Sequence, residues 1–126
     1  MQRSSVIRFA SALAFLAVAL GAFGAHGLKA RLTDLGTSAS WDTAALYHFL
    51  HALALLALAA GPRVPRGPVI CWGMGVVLFS GSLYLLAVTG VKALGMVTPL
   101  GGIAFLVGWA WLFRRPPAES CPTDTV

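Results

Sequence analysis

Charged residues are scarce in this chain, since only 10% of its 126 residues are Asp, Glu, Lys or Arg. Four uncharged runs contain 20, 20, 25 and 21 residues, and they occupy positions 9–28, 43–62, 67–91 and 93–113. A helix of about 20 residues crosses the ~30 Å hydrocarbon core of a bilayer. Together with a mean hydropathy of +0.82, these runs exclude a soluble globular domain. They predict an all-α integral membrane four-helix bundle.

The predicted bundle is a single transmembrane domain, residues 1–113, followed by a disordered cytoplasmic tail over residues 114–126. Its helices are expected at about residues 5–25, 43–61, 69–89 and 93–113. The first run resembles a signal peptide in its basic start, but its apolar core is long for one and three further runs follow. We therefore expect it to be a membrane span.

Cysteine and carboxylate residues are also scarce, which limits the chemistry available. The two cysteines, Cys71 and Cys121, have no metal-ligand spacing. The four Asp and Glu residues all lie outside the predicted spans. Because no acid, thiolate or nucleophile constellation is present, we predict no catalytic residue. The composition favours a protein that is not an enzyme and that needs no cofactor.

The basic residues are distributed unevenly between the short loops. Six lie in the N-terminal segment, the second loop and the C-terminal flank, namely Arg3, Arg8, Arg63, Arg66, Arg114 and Arg115. Only Lys29, Arg31 and Lys92 lie in the other two loops. Cytoplasmic loops carry the excess of Lys and Arg, which predicts that both termini are cytoplasmic. The net charge of +5 then faces anionic lipid headgroups, and no nucleic acid partner is predicted.

Local signals refine the ends of the helices. Residues 27–35 are predicted to form a short interfacial helix between the first two spans, stopped by Gly36. Asp42 is expected to be the N-cap of the second span. Trp41 is expected at the outer membrane interface, and three further tryptophans at the inner one, namely Trp72, Trp109 and Trp111.

The fourth span contains Thr98-Pro99-Leu100-Gly101-Gly102, which allows two structures. One is a continuous helix from Ala93 with a kink at Pro99, which we favour. The other is a helix that begins at Pro99 with Thr98 as its N-cap, leaving unpaired N–H groups inside the membrane.

Small residues predict close contacts with neighbouring helices, within the chain, in a homo-oligomer or in other membrane proteins. The glycines assigned to these contacts are Gly21, Gly24, Gly81, Gly101, Gly102 and Gly108.

Ionisable side chains inside apolar spans point to a possible site. His26 ends the first run, while His48 and His51 are three residues apart and share one face of the second helix. Depth along the helices predicts that these histidines form a polar cluster in the outer leaflet with Tyr47, Ser80, Ser82, Tyr84 and Thr98.

Four interpretations of this cluster are open. The favoured one is structural, with the side chains forming interhelical hydrogen bonds. The alternatives are a metal or haem site at the three histidines, a proton or small-solute transport path, and a pocket for a quinone or lipid headgroup. The leading functional hypothesis is accordingly a non-enzymatic accessory, scaffold or lipid-interacting protein in the bilayer.

Several motifs resemble one known family. These are Gly21–Leu28, Trp41–Ala44 with Tyr47–Leu53, Leu78–Tyr84 and Thr98–Gly102. In this order they are similar to the small bacterial membrane family known as domain of unknown function 423, which is related to eukaryotic transmembrane protein 256. The similarity covers about residues 9–113. It implies a multi-pass protein of the bacterial inner membrane, and it brings no catalytic or cofactor-binding role to any residue.

Overall fold

The structure is a computed structural model that describes residues 1–114, and all regular structure in this range is helical. The predicted tail, including Arg115 and Cys121, lies almost wholly outside the described residues. The six α-helices are α1 (Arg3–Ala25), α2 (Lys29–Leu35), α3 (Ser38–Ala60), α4 (Arg66–Gly75), α5 (Gly81–Thr89) and α6 (Thr98–Phe113). A π-helical segment, Val76–Ser80, joins α4 to α5, and a 3₁₀ segment, Lys92–Met96, precedes α6.

Four continuous helical stretches are long and apolar enough to cross a membrane. Span 1 is α1, span 2 is α3, span 3 is Arg66–Thr89 and span 4 is Lys92–Phe113, with lengths of 23, 23, 24 and 22 residues. The predicted four-helix, all-α architecture is therefore confirmed. The short helix between spans 1 and 2 is also confirmed as α2, and Gly36 ends it in the left-handed conformation (φ 66°).

The spans pack as two helix pairs. α1 packs along α3, and α4 packs along α6, while α3 also contacts α5 and the π segment. Small residues allow the close approach of α1 and α3, because Ala10, Ala17 and Ala52 are almost fully buried. A larger apolar core, which includes Leu55 and Trp72, joins the two pairs.

Helix α2 covers the end of span 3. The Nε of Arg31 donates to the carbonyl of Val88 (2.8 Å), and the hydroxyl of Thr37 donates to the carbonyl of Ala87 (2.7 Å). These carbonyls belong to the last turn of α5, which has no partners for them within its own helix. The loop after span 1 thus completes the hydrogen bonding of span 3.

Two predicted helix starts are wrong. Helix α3 begins at Ser38 with Thr37 as its N-cap, so Asp42 lies inside the helix and is exposed. Span 4 is not a continuous α-helix from Ala93, because its first residues are 3₁₀ and α6 begins at Thr98. Pro99 lies in the first turn of α6, where its missing N–H leaves no broken bond. Thr98 is not the cap, since no side chain caps this helix.

The four tryptophans differ in how far the bundle buries them. Trp41 and Trp72 are only 3% and 1% exposed, whereas Trp109 and Trp111 are each 50% exposed. Trp41 of α3 packs against α1, and its indole Nε1 donates to the carbonyl of Leu20 (3.1 Å). The indoles of Trp41 and Trp72 fit into the bundle because Gly24 and Gly108 leave room for them.

Candidate functional site

His51 lies in the interior of the bundle with both ring nitrogens hydrogen-bonded. Its Nδ1 is 2.9 Å from the backbone carbonyl of Tyr47, one turn earlier on α3. Its Nε2 is 3.2 Å from the indole Nε1 of Trp109 on α6. A carbonyl only accepts and an indole N–H only donates. The ring must therefore be neutral, with the proton on Nδ1 and the lone pair of Nε2 directed at Trp109.

Aromatic rings surround the same imidazole. Phe105 of α6 stacks on His51 with ring centroids 3.6 Å apart and planes within 10°. Trp72 and Trp109 meet it edge to face at 6.0 and 6.1 Å. These contacts bring spans 2, 3 and 4 together at one side chain. Their geometry suits a structural junction, because neither nitrogen of His51 has a lone pair free for a ligand.

His48 makes a different set of contacts one turn away on α3. Its Nδ1 is 3.3 Å from the hydroxyl of Tyr84 on α5, and the side chain is 4% exposed. The Tyr84 ring also packs edge to face against Trp41 at 4.7 Å. Within residues 1–114, the Nε2 of His48 has no hydrogen-bond partner. His48 thus links spans 2 and 3 through one bond and keeps one buried nitrogen unpaired among the described residues.

Ser82 and Thr98 form the hydrogen bond between spans 3 and 4. Their hydroxyl oxygens are 2.7 Å apart, and Ser82 also donates to the carbonyl of Phe79 (3.0 Å). Since a serine hydroxyl has one proton, Ser82 must accept from Thr98. The hydroxyl of Ser80 is fully buried and has no partner among the described residues.

The structure therefore brings only part of the predicted cluster together. His26 is exposed at the end of α1, and no three His, Cys, Asp or Glu side chains in residues 1–114 are arranged to hold a metal ion. Tyr47 is 40% exposed and contributes its backbone carbonyl to His51, while its ring packs on Phe79 at 4.7 Å. His48, His51, Ser82, Tyr84 and Thr98 take part in three separate links between spans, and the hydroxyl of Ser80 takes part in none of them.

The six glycines predicted to make helix contacts fall into three groups. A Cβ at Gly24 would overlap the indole of Trp41, one at Gly108 the indole of Trp72, and one at Gly101 the backbone of Phe79. Gly102 has only ordinary contacts with Phe79, at 3.8 Å or more. At Gly21 and Gly81 nothing lies within 4 Å of an added Cβ, so the structure brings neither of them into a close helix contact within the chain.

Sequence reasoning missed the partners of His51, namely Phe105, Trp72 and Trp109. One signal was available in the sequence, namely the glycines inside the spans. Gly75 lies in span 3 and Gly108 in span 4, and in the structure both lie against large rings. A Cβ at Gly75 would overlap the ring of Phe105. Glycine opposite an aromatic residue in a neighbouring helix indicates a buried ring, but the sequence does not show which helices are neighbours.

The model of the family described as "protein of unknown function (DUF423)" matches residues 20–102. The chain belongs to this family. The resemblance seen in the sequence is thereby confirmed.

Relatives in other bacteria extend over most of the chain. UPF0382 membrane protein YwdK of Bacillus subtilis is 48% identical over 102 residues, which cover 76% of this chain and 82% of that protein. UPF0382 inner membrane protein YgdD of Escherichia coli is 41% identical over 110 residues, 81% of each chain. No solved structure matches the chain. The names of these relatives and the four spans make this a multi-pass membrane protein in contact with the lipid bilayer.

Proposed function

We propose that this protein is a non-enzymatic accessory or scaffold protein that binds other membrane helices. The observation that carries the proposal is the exposure of α1. This helix packs mainly on α3, and its other side presents large apolar side chains, including Phe15 (73% exposed) and Val18 (60% exposed). Gly21 lies one turn from Val18 and has open space around it. A face that combines apolar and small residues allows a second helix to approach closely.

The interior of the bundle supports the same proposal. His51 has both nitrogens occupied by Tyr47 and Trp109, and the hydroxyls of Ser82 and Thr98 bond to each other. Polar groups used in this way fix the relative positions of the spans. A rigid bundle with a free apolar helix face is suited to binding rather than to chemistry.

Site-specific photocrosslinking in native membranes tests this function. A photoreactive phenylalanine analogue at Val18 is expected to form a discrete adduct with a protein, either a partner or a second copy. The same analogue at Leu106 of α6, which is 69% exposed, is the control for general contact with neighbouring proteins. Adducts to lipid alone at position 18, together with a monomer and no co-purifying protein in mild detergent, would contradict the proposal.

We also propose that both termini face the cytoplasm. Arg3, Arg63 and Arg66 lie at one end of the bundle, and Lys92 lies at the other, where Asp34 and Asp42 partly balance the basic residues. This distribution supports the orientation through the preference of Lys and Arg for cytoplasmic loops.

Cysteine labelling tests the orientation. Cys71 and Cys121 are first replaced by Ser, and then Lys92→Cys or Arg63→Cys is introduced. An impermeant maleimide applied to intact spheroplasts should label Lys92→Cys and should reach Arg63→Cys only after the cells are lysed. The reverse pattern would overturn the orientation.

A further inference from the structure

We propose that the protein has a specific site for one anionic phospholipid. An acyl chain would lie in the groove between α1 and α4, and Arg66 would bind the phosphate. The groove is a lateral opening of about 470 Å³ in the surface of the bundle. Its walls are apolar, and they include Phe9 of α1 with Ile70 and Met74 of α4.

Gly73 leaves the part of the groove beside Phe9 without a side chain. It lines the groove opposite Phe9, and a Cβ at this position would lie 3.4 Å from the ring of Phe9. A larger side chain at Gly73 would therefore extend into the groove, with no forced overlap at its Cβ. The groove lies between side chains of α1 and α4, which meet in the apolar core through Val6 and Val69.

Arg66 is placed to bind the headgroup of the same lipid. It lies four residues before Ile70 on α4, so the two side chains share one helix face. Span 3 begins at Arg66, directly before the uncharged run 67–91, which places this arginine at the level where the apolar run ends. Guanidinium groups bind phosphate oxygens in a two-pronged geometry.

The charge at this end of the bundle favours an anionic occupant. Among residues 1–114 it includes five exposed arginines, namely Arg3, Arg8, Arg63, Arg66 and Arg114. The two carboxylates of the described residues, Asp34 and Asp42, lie on α2 and on the early part of α3, at the opposite end. The arginines therefore have no acidic partner at their own end within the described residues, and a lipid phosphate would supply one.

A second groove lies next to Arg66, which lines this groove and not the first. It has a volume of about 600 Å³, and Arg66 and Ile70 line it together with Trp111 of α6. Ile70 lines both grooves. A phospholipid with its phosphate on Arg66 would thus find an apolar groove for each of its two acyl chains, one on each side of Ile70.

Native mass spectrometry of the full chain in mild detergent tests this site. The probes are phosphatidylglycerol and phosphatidylcholine with identical acyl chains, added at equal concentration. We expect one molecule of phosphatidylglycerol to be retained in preference to phosphatidylcholine. Arg66→Gln should lower its retention about fivefold, the effect of removing one basic residue at an anionic membrane surface. Gly73→Leu should lower retention by filling the groove.

Matched variants separate binding at this site from the general effects of losing one positive charge or adding one leucine side chain. Lys92→Gln removes the same charge at the opposite end, and Gly81→Leu adds the same side chain to span 3 where an added Cβ has open space. Both should retain phosphatidylglycerol as the unchanged protein does. Equal retention of the two lipids, or normal retention by Arg66→Gln, would overturn the proposal. A dimer that Gly73→Leu disrupts would also overturn it, by assigning the groove to a second copy.

Discussion

Gly101→Ala is expected to lower the free energy of unfolding by about 2–3 kcal/mol, the upper part of the range for overpacking a core. The added Cβ would overlap the backbone N and Cα of Phe79 in the π segment of span 3. A backbone cannot turn aside as a flexible side chain can, so spans 3 and 4 would have to separate. The measurement is reversible unfolding of the purified protein in mixed micelles.

Gly81→Ala is the matched control for this prediction. Gly81 also lies in span 3, but nothing is within 4 Å of its added Cβ. Alanine restricts the unfolded chain and favours helix, so this variant should be unchanged or more stable by about 0.4–1 kcal/mol. Equal destabilisation of the two variants would contradict the close contact between Gly101 and Phe79.

His51→Ala is expected to lower the free energy of unfolding by about 3 kcal/mol, through a cavity and a lost hydrogen bond together. The substitution removes the ring that stacks on Phe105 and the acceptor for the Trp109 indole. His51→Phe keeps a ring of similar shape, so its loss should be near 1 kcal/mol, close to a hydrogen bond between membrane helices. Unfolding in mixed micelles measures both variants.

A double-mutant cycle then isolates the bond between His51 and Trp109. His51→Phe and Trp109→Phe should show a coupling of about 0.6–1.7 kcal/mol, the range of interhelical hydrogen bonds in membranes. Trp111→Phe is the control on the same helix, since Trp111 lies in the groove beside Gly67 and should show no coupling with His51. Additive effects at His51 and Trp109 would contradict the bond.

The spans could be predicted because two physical quantities fix them. The length of each uncharged run is read from the sequence, and the thickness of a bilayer is a known constant. The four runs therefore correspond to the four spans of the structure. Gly36 likewise marked the end of α2 correctly, because a left-handed C-terminal residue is most easily glycine.

Helix starts were harder to predict, because tertiary contacts override local signals. Asp42 is a good N-cap by residue type, yet α3 begins earlier, at Ser38, where Thr37 bonds to the end of span 3. The π segment has no signal in the sequence at all. It lies where Gly101 approaches the backbone of Phe79, a contact that exists only once spans 3 and 4 are packed.

The candidate site could likewise be predicted from the sequence only in part. The hydropathy pattern identified His48 and His51 as candidate site residues, because ionisable side chains are rare inside apolar spans. Depth alone grouped them with His26, which lies exposed at the end of α1. Only the direction in which each helix face points distinguishes the buried His48 and His51 from the exposed His26. Those directions also give His51 its partner Trp109, a contact that the sequence did not indicate.

Nitrogen-15 NMR tests directly whether His51 is the neutral, hydrogen-bonded junction between the spans. The protein would be labelled at histidine and studied in lipid bilayers at neutral pH, with His51→Phe to assign the signals. We predict a neutral His51 with its proton on Nδ1 and an unprotonated Nε2 that is hydrogen-bonded to the Trp109 indole. A proton on Nε2, or a charged imidazolium, would contradict it.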